Sequence, residues 1–258
     1  MTPPTDDPGP PTETLPPLDS RFVGMPDSMQ GGYIAALAAG SGREAVRVRI
    51  RRPLRPGDQL TREHHDGICR VFRDGELVLE GRQTDLHVNE AAVEPLDRDQ
   101  VLATSEQPPA FDLPFPTCAG CGEQDDSLGF SIRPYGDGRH TVGVWTPAGE
   151  PDAVAGAPVP RSHVWTINDC LTSWCVFIDP PSTGTGGAVT GNIAMQFFDE
   201  LQVGATYVCQ SWRVEDNERR IVCGGAIHNL DGDLIALADQ ELVRTDGWGM
   251  EIPQAPLA

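Results

Sequence analysis

The chain has 258 residues and a formal net charge of −19, with 38 acidic side chains against 19 basic ones, every one of the latter an arginine. So acidic a molecule is repelled by phosphate backbones and anionic bilayers, so neither nucleic acid nor a membrane surface is an expected partner. Its length allows one large core or two smaller ones, and no apolar run approaches the ~20 residues that span a bilayer.

Residues 1–18 are rich in proline and acidic side chains and are expected to form a disordered tail. They lack the basic region and apolar stretch of a secretory signal. Seven cysteines, an odd number spread through apparent strands and a helix, fit reduced thiols in a cytoplasmic protein. A first structural unit is expected over 19–90. Arg21-Phe22-Val23 reads as a short strand, Gly31-Gly32 opens an alanine-rich helix, and Gly40 ends it. Val46, Val48 and Ile50 alternate with Arg47, Arg49 and Arg51, the period of a half-buried strand. The arginines, with Arg52 and Arg55, then form a solvated basic face. ICRVF, ELVLEG and RQTDLHV follow as strands, with Asp74-Gly75 at a hairpin.

Residues 91–126 show little periodicity and read as a linker containing Cys118-Ala119-Gly120-Cys121-Gly122. Zinc needs about four ligands, and neither a second cysteine pair nor a suitably spaced histidine accompanies this one. A redox pair would need a neighbouring helix and a basic partner. A turn without metal is therefore expected.

A second unit is expected over 127–246, followed by a tail at 247–258. It opens with a hairpin turning at Gly136-Asp137-Gly138, then a helix over 163–178. Four apolar runs over 189–244 follow, separated by turn signals at Glu200–Gly204, Glu215–Arg219 and Leu230–Asp233. In the helix, Ile167, Leu171, Trp174 and Ile178 form one stripe and Trp165, Asp169, Thr172 and Val176 another. A helix apolar on more than one side is buried, and Asp169 with it. The bulk of Trp145, Trp165, Trp174 and Phe177 suits a core. An enclosed carboxylate costs several kcal/mol unless it is hydrogen-bonded. Asp169 therefore either activates a water or bonds a neighbouring backbone N–H; spacing alone leaves both open.

Both units share one order, helix then antiparallel meander, which points to a divergent internal duplication. That order is the one found in the hot dog fold. The expected class is α+β, a double hotdog: two antiparallel sheets joined edge to edge, each wrapping a central helix.

The second half resembles the acyl-CoA thioesterase II family, which carries two such units in one chain. The resemblance rests on INDCLTSW, TGNIAMQF and DGDLIALADQELVR over 127–246, and in the first half on Gly31-Gly32 and RRPLRPGDQL. It implies a hydrolase of acyl-CoA or acyl-carrier thioesters in which Asp169, Thr190 and Gln240 position the hydrolytic water. No metal or redox cofactor is implied, and a homodimer is left open. Coenzyme A, a polyanion, would need a local arginine patch. One departure concerns the donors to the thioester carbonyl. Many single-unit relatives carry His-Gly-Gly before the catalytic helix, where this chain has Pro160-Arg161-Ser162-His163. Arg161, Ser162 and His163 at that helix start are candidate substrate-binding residues, as are Gly31 and Gly32. Gln30-Gly31-Gly32 looks more like the oxyanion turn, although its helix has Ala39 where an acid would fall. Two other readings stand beside hydrolysis: a non-catalytic acyl-thioester or small-ligand binder, and a dehydratase or cyclase on the same fold.

Overall fold

Hairpin chemistry accounts for most of the architecture. The computed structural model describes residues 11–86, 88, 93–107, 115–136, 139–150, 153–178 and 187–245. In the first half, α1 (Gly31–Ala39) precedes β2 (Val46–Ile50), β3 (Leu60–His65), β4 (Ile68–Arg73) and β5 (Glu76–Gln83). Asp74 and Gly75 both take positive φ, 51° and 79°, as do Asp66 and Gly67 at 52° and 72°. Paired left-handed residues twist a two-residue turn the way the flanking strands twist, so β3, β4 and β5 form a tight meander.

In the second half, β6 (Ser131–Pro134) and β7 (His140–Trp145) lead into α3 (Arg161–Ile178). The long strands β8 (Ala188–Phe197), β9 (Tyr207–Asp216), β10 (Arg220–Asn229) and β11 (Leu234–Arg244) follow. The expected helix thus begins two residues earlier than its apolar pattern. Asp137 and Gly138 of the expected β6–β7 turn lie outside the described residues.

With β1 (Thr12–Thr14), the strands among the described residues join one sheet, in the order β1-β3-β4-β5-β2-β8-β11-β10-β9-β7-β6. The halves meet where β2 pairs antiparallel with β8, Val46 opposite Met195 through Arg49 opposite Asn192. Arg47 ties this seam: its guanidinium donates to Asn192 Oδ1 at 2.8 Å and to Asp239 Oδ2 at 2.9 Å. Asp239 is only 1% exposed. The expected solvated arginine face is therefore corrected at Arg47, which the strands of the other half cover; Arg49, Arg52 and Arg55 are exposed.

α1 and α3 pack against each other and against the sheet. Their closest approach is at Gly32, where a Cβ would overlap the Trp165 carbonyl and meet Asp169 Cβ at 2.9 Å. Only a residue without a side chain lets α1 settle there. Trp145, Trp165, Ile167 and Leu171 are almost fully buried in the main core.

Several expectations need correction. Residues 11–18 are not disordered: β1 (Thr12–Thr14) pairs with the otherwise open edge of β3, and Leu15 and Leu18 insert into the core. Pro-rich composition hid them, because an edge strand takes its hydrogen bonds from a distant partner. ELVLEG and the start of RQTDLHV are one strand, β5, ending at Gln83. Arg21-Phe22-Val23 contributes a single bridge, Val23 to Met29, instead of a strand. The expected linker contains α2 (Arg98–Ser105), capped by Asp97, whose carboxylate accepts from the Gln100 N–H. Val101 seats it against Tyr135, Val142 and Val208. Residues 1–10 and 246–258 lie outside the described residues, as do the side chains of Phe177 and Ile178. Among the described residues, no helix is long and apolar enough to cross a membrane.

Candidate active site

Asp169 projects from α3 toward the N-terminus of α1 and is 6% exposed. Its Oδ2 accepts from Gln30 Nε2 at 2.6 Å and from the Gly32 N–H at 3.0 Å. Its Oδ1 accepts from Thr190 Oγ1 at 2.8 Å and from Gln240 Nε2. Gln240 also donates to Thr190 Oγ1 at 2.8 Å, and its own carbonyl accepts from Thr172. Four donors on one carboxylate offset the loss of water, which an isolated buried charge could not survive. Burial nevertheless dominates and pushes the Asp169 carboxyl up to about 6, against the lowering effect of the Thr190 and Gly32 bonds.

Each partner is placed by a different element. Gln30 caps α1: its Oε1 accepts from the Tyr33 N–H at 2.7 Å, leaving Nε2 aimed at α3. Thr190 sits near the start of β8, and Gln240 faces it from β11, where Gln240 pairs with Ile193. The free N–H groups of a helix start suit an anion, and here Asp169 is that anion. Gly31 opens beside it; a Cβ there would meet Asp169 Oδ2 at 2.9 Å and Thr190 Oγ1 at 3.2 Å.

A cavity of about 600 Å³ reaches this point. Gly31, Asp169, Ser173 and Thr190 line it, with apolar walls that include Ile34 and Trp174. Arg51, Arg52 and Arg55 also line it, the latter two exposed and therefore at its mouth. Gln240 is fully buried behind Asp169 and does not line the cavity.

The structure thus brings Asp169, Thr190, Gln240, Gly31 and Gly32 together. Arg161, Ser162 and His163 lie elsewhere, because they begin α3 two turns before Asp169. The Arg161 guanidinium stacks over Phe197, 4.4 Å from the ring centre, and donates to the Gly42 carbonyl. The Ser162 carbonyl accepts from Thr166 Oγ1 at 2.8 Å. His163 Nε2 is 3.1 Å from Glu150 Oε1, and burial pushes its pKa down. None of the three lines the cavity.

Gln30, expected only as part of an oxyanion-like turn, is instead a direct partner of the Asp169 carboxylate. Its position directly before Gly31-Gly32, where a cap belongs, was the available signal. Cys118 and Cys121 also line the cavity, together with Cys170. The sulfurs of all three lie within 4.8 Å of one another. The third thiol missing from the Cys-x-x-Cys reading comes from α3.

No family model and no curated protein matches the sequence. Solved structures do match the fold. A protein with the hot dog fold from Alicyclobacillus acidocaldarius superposes with a TM-score of 0.61 at 14% identity, covering 92% of this chain and 94% of its own. A tesB protein from Mycobacterium avium subsp. paratuberculosis gives 0.57 at 14% identity, covering 91% and 93%. An acyl-CoA thioesterase II from Mycobacterium marinum gives 0.53 at 14% identity, covering 85% and 88%. At such identities the likeness shows the fold, and that fold is the hot dog.

Proposed function

We propose that this chain is a double hot dog hydrolase that cleaves an acyl-CoA or related acyl thioester, with Asp169 as general base. The observation that carries the reading is a buried carboxylate, clamped from both halves, lining an apolar cavity whose mouth carries Arg52 and Arg55. A thioester suits the site because its leaving thiol, with a pKa of about 8.5, needs little acid assistance.

The reaction runs as follows. A water beside Asp169 and Thr190 attacks the thioester carbon while its proton passes to Asp169. The carbonyl electron pair moves onto oxygen, where the Gly31 N–H at the helix start stabilises it. The pair then returns, the C–S bond breaks, and the departing sulfur takes the proton from Asp169. Gln240 acts from behind as a positioning residue that fixes Asp169 and Thr190, a change from the water-holding role expected of it. Free-thiol release from a panel of acyl-CoAs tests the reading, and absence of release across all chain lengths overturns it.

Base catalysis also sets a pH dependence. Asp169 works ionised, so kcat/KM is expected to climb as pH rises through about 6 and then level off. A profile that falls over that interval removes Asp169 as the base.

One observation favours a second reading. Both Asp169 oxygens already accept two protein donors each, as a structural carboxylate in a non-catalytic binding protein would. Tight acyl-CoA binding without turnover selects it. A dehydratase-type acid–histidine pair has less support, since His163 faces Glu150 and no histidine bonds Asp169 among the described residues.

A further inference from the structure

Cys118 and Cys121 occupy a turn whose shape is held chiefly by backbone bonds, with the Ser127 hydroxyl donating to the Gly122 carbonyl at 2.9 Å. The Gly122 N–H donates to the Cys118 carbonyl at 2.7 Å, and the Glu123 N–H to the Pro116 carbonyl at 2.9 Å. The Ala119 N–H reaches the Val23 carbonyl at 2.8 Å, and the Leu128 N–H returns to the Ala119 carbonyl at 2.7 Å. The turn is thereby fixed between the segment that leads into α1 and the segment that leads into β6. It presses onto α3 at Cys170. A Cβ at Gly120 would overlap Cys170 Sγ, so this approach requires glycine there.

The three sulfurs form a compact group. Cys118 Sγ and Cys170 Sγ are 3.5 Å apart, far beyond the ~2.05 Å of a disulfide. Thiolates about 2.3 Å from a tetrahedral zinc ion are separated by about 3.8 Å, close to what is found here. Each sulfur also faces N–H donors of the sort that support metal-bound thiolates. The backbone N–H groups of Gly120 and Cys121 point to Cys118. The Trp174 indole N–H is 3.4 Å from Cys121 Sγ, and Gln30 Nε2 is 3.7 Å from Cys170 Sγ. All three cysteines are buried yet border the cavity, so a fourth coordination position has somewhere to open.

We propose that Cys118, Cys121 and Cys170 form a binding site for a thiophilic divalent ion, Zn²⁺, with its fourth position facing the cavity. Three protein ligands and one open position is the pattern of zinc sites that admit an exogenous ligand, whereas closed structural sites use four. Binding releases three thiol protons to solvent as three Zn–S bonds form, with no change of oxidation state. The site adjoins the hydrolytic centre through the Asp169-Cys170 step but does not depend on it, because metal uptake is read without any substrate.

The test uses the full chain, purified under reducing conditions and stripped with a chelator. Titration with Co²⁺ is expected to produce thiolate-to-cobalt charge-transfer and intense tetrahedral d–d bands that saturate at one ion per chain. Zn²⁺ should then bleach them stoichiometrically. Cys118→Ser and Cys170→Ser are expected to lose those bands, whereas Cys69→Ser, in β4, keeps them. The titration of the unsubstituted chain decides the matter should a variant fail to fold. A folded, reduced chain that gives no such bands overturns the proposal. So does a chain whose bands survive in both folded Cys118→Ser and folded Cys170→Ser.

Discussion

Asp169→Asn is expected to lower thioester turnover by about 10²- to 10⁴-fold while leaving the chain folded. The substitution is nearly isosteric. An amide oxygen can still accept from the Gly32 N–H and Gln30, and its NH₂ can donate to Thr190 Oγ1 once that hydroxyl rotates and to the Gln240 carbonyl once that amide flips, Thr172 then accepting from Gln240. What disappears is the proton acceptor. Alanine at this position would also strand the donors of Gln30, Gly32, Thr190 and Gln240, confusing a chemical loss with a structural one. The measurement is kcat by free-thiol release alongside acyl-CoA affinity and thermal unfolding. Retained affinity with collapsed kcat is the expected pattern. Full turnover in a folded Asp169→Asn protein would end the assignment.

Gly32→Ala is expected to destabilise the protein by about 3 kcal/mol, the upper end for overpacking, and to shift the urea midpoint downward accordingly. Helix propensity alone argues the opposite, since alanine gains roughly 1 kcal/mol over glycine inside a helix. Steric overlap wins because the atom in the way is the Trp165 carbonyl oxygen, part of a backbone that cannot rotate aside. Asp169 Cβ, one turn further along α3, is only 2.9 Å away, so relief requires α1 to lift from α3. That movement would also withdraw the Gly32 N–H from Asp169 Oδ2. A midpoint that is unchanged or raised would mean that the two helices do not touch at this residue.

How much was legible in the sequence depended on whether the signal was local. Asp74-Gly75 marked its hairpin because two left-handed residues form a tight turn without outside help. The apolar stripes on both sides of Asp169 placed that residue indoors, since burial follows from helical period. Thr190 and Gln240 came from resemblance alone: nothing in strand alternation says that positions 50 residues apart converge on one carboxylate. What stayed hidden was non-local. Thr12–Thr14 becomes a strand only because β3 offers it an edge. Alternation told which face of β2 carries Arg47, but not that β8 and β11 cover that face. The polar helix α2 left little beyond its Asp97 cap. Cys170 lies 49 positions from Cys121, a separation at which spacing rules for metal ligands carry no information.

The seam between β2 and β8 divides the labour of the site unevenly. Residues 30 to 32 bring amide donors from one side, whereas 169, 190 and 240 bring the acid and its supports from the other. At the matching place on α1 stands Ala39, so the arrangement is not mirrored across the junction. The carboxylate and its donors are therefore drawn from both sides of one seam, and neither half severed from the other could assemble them.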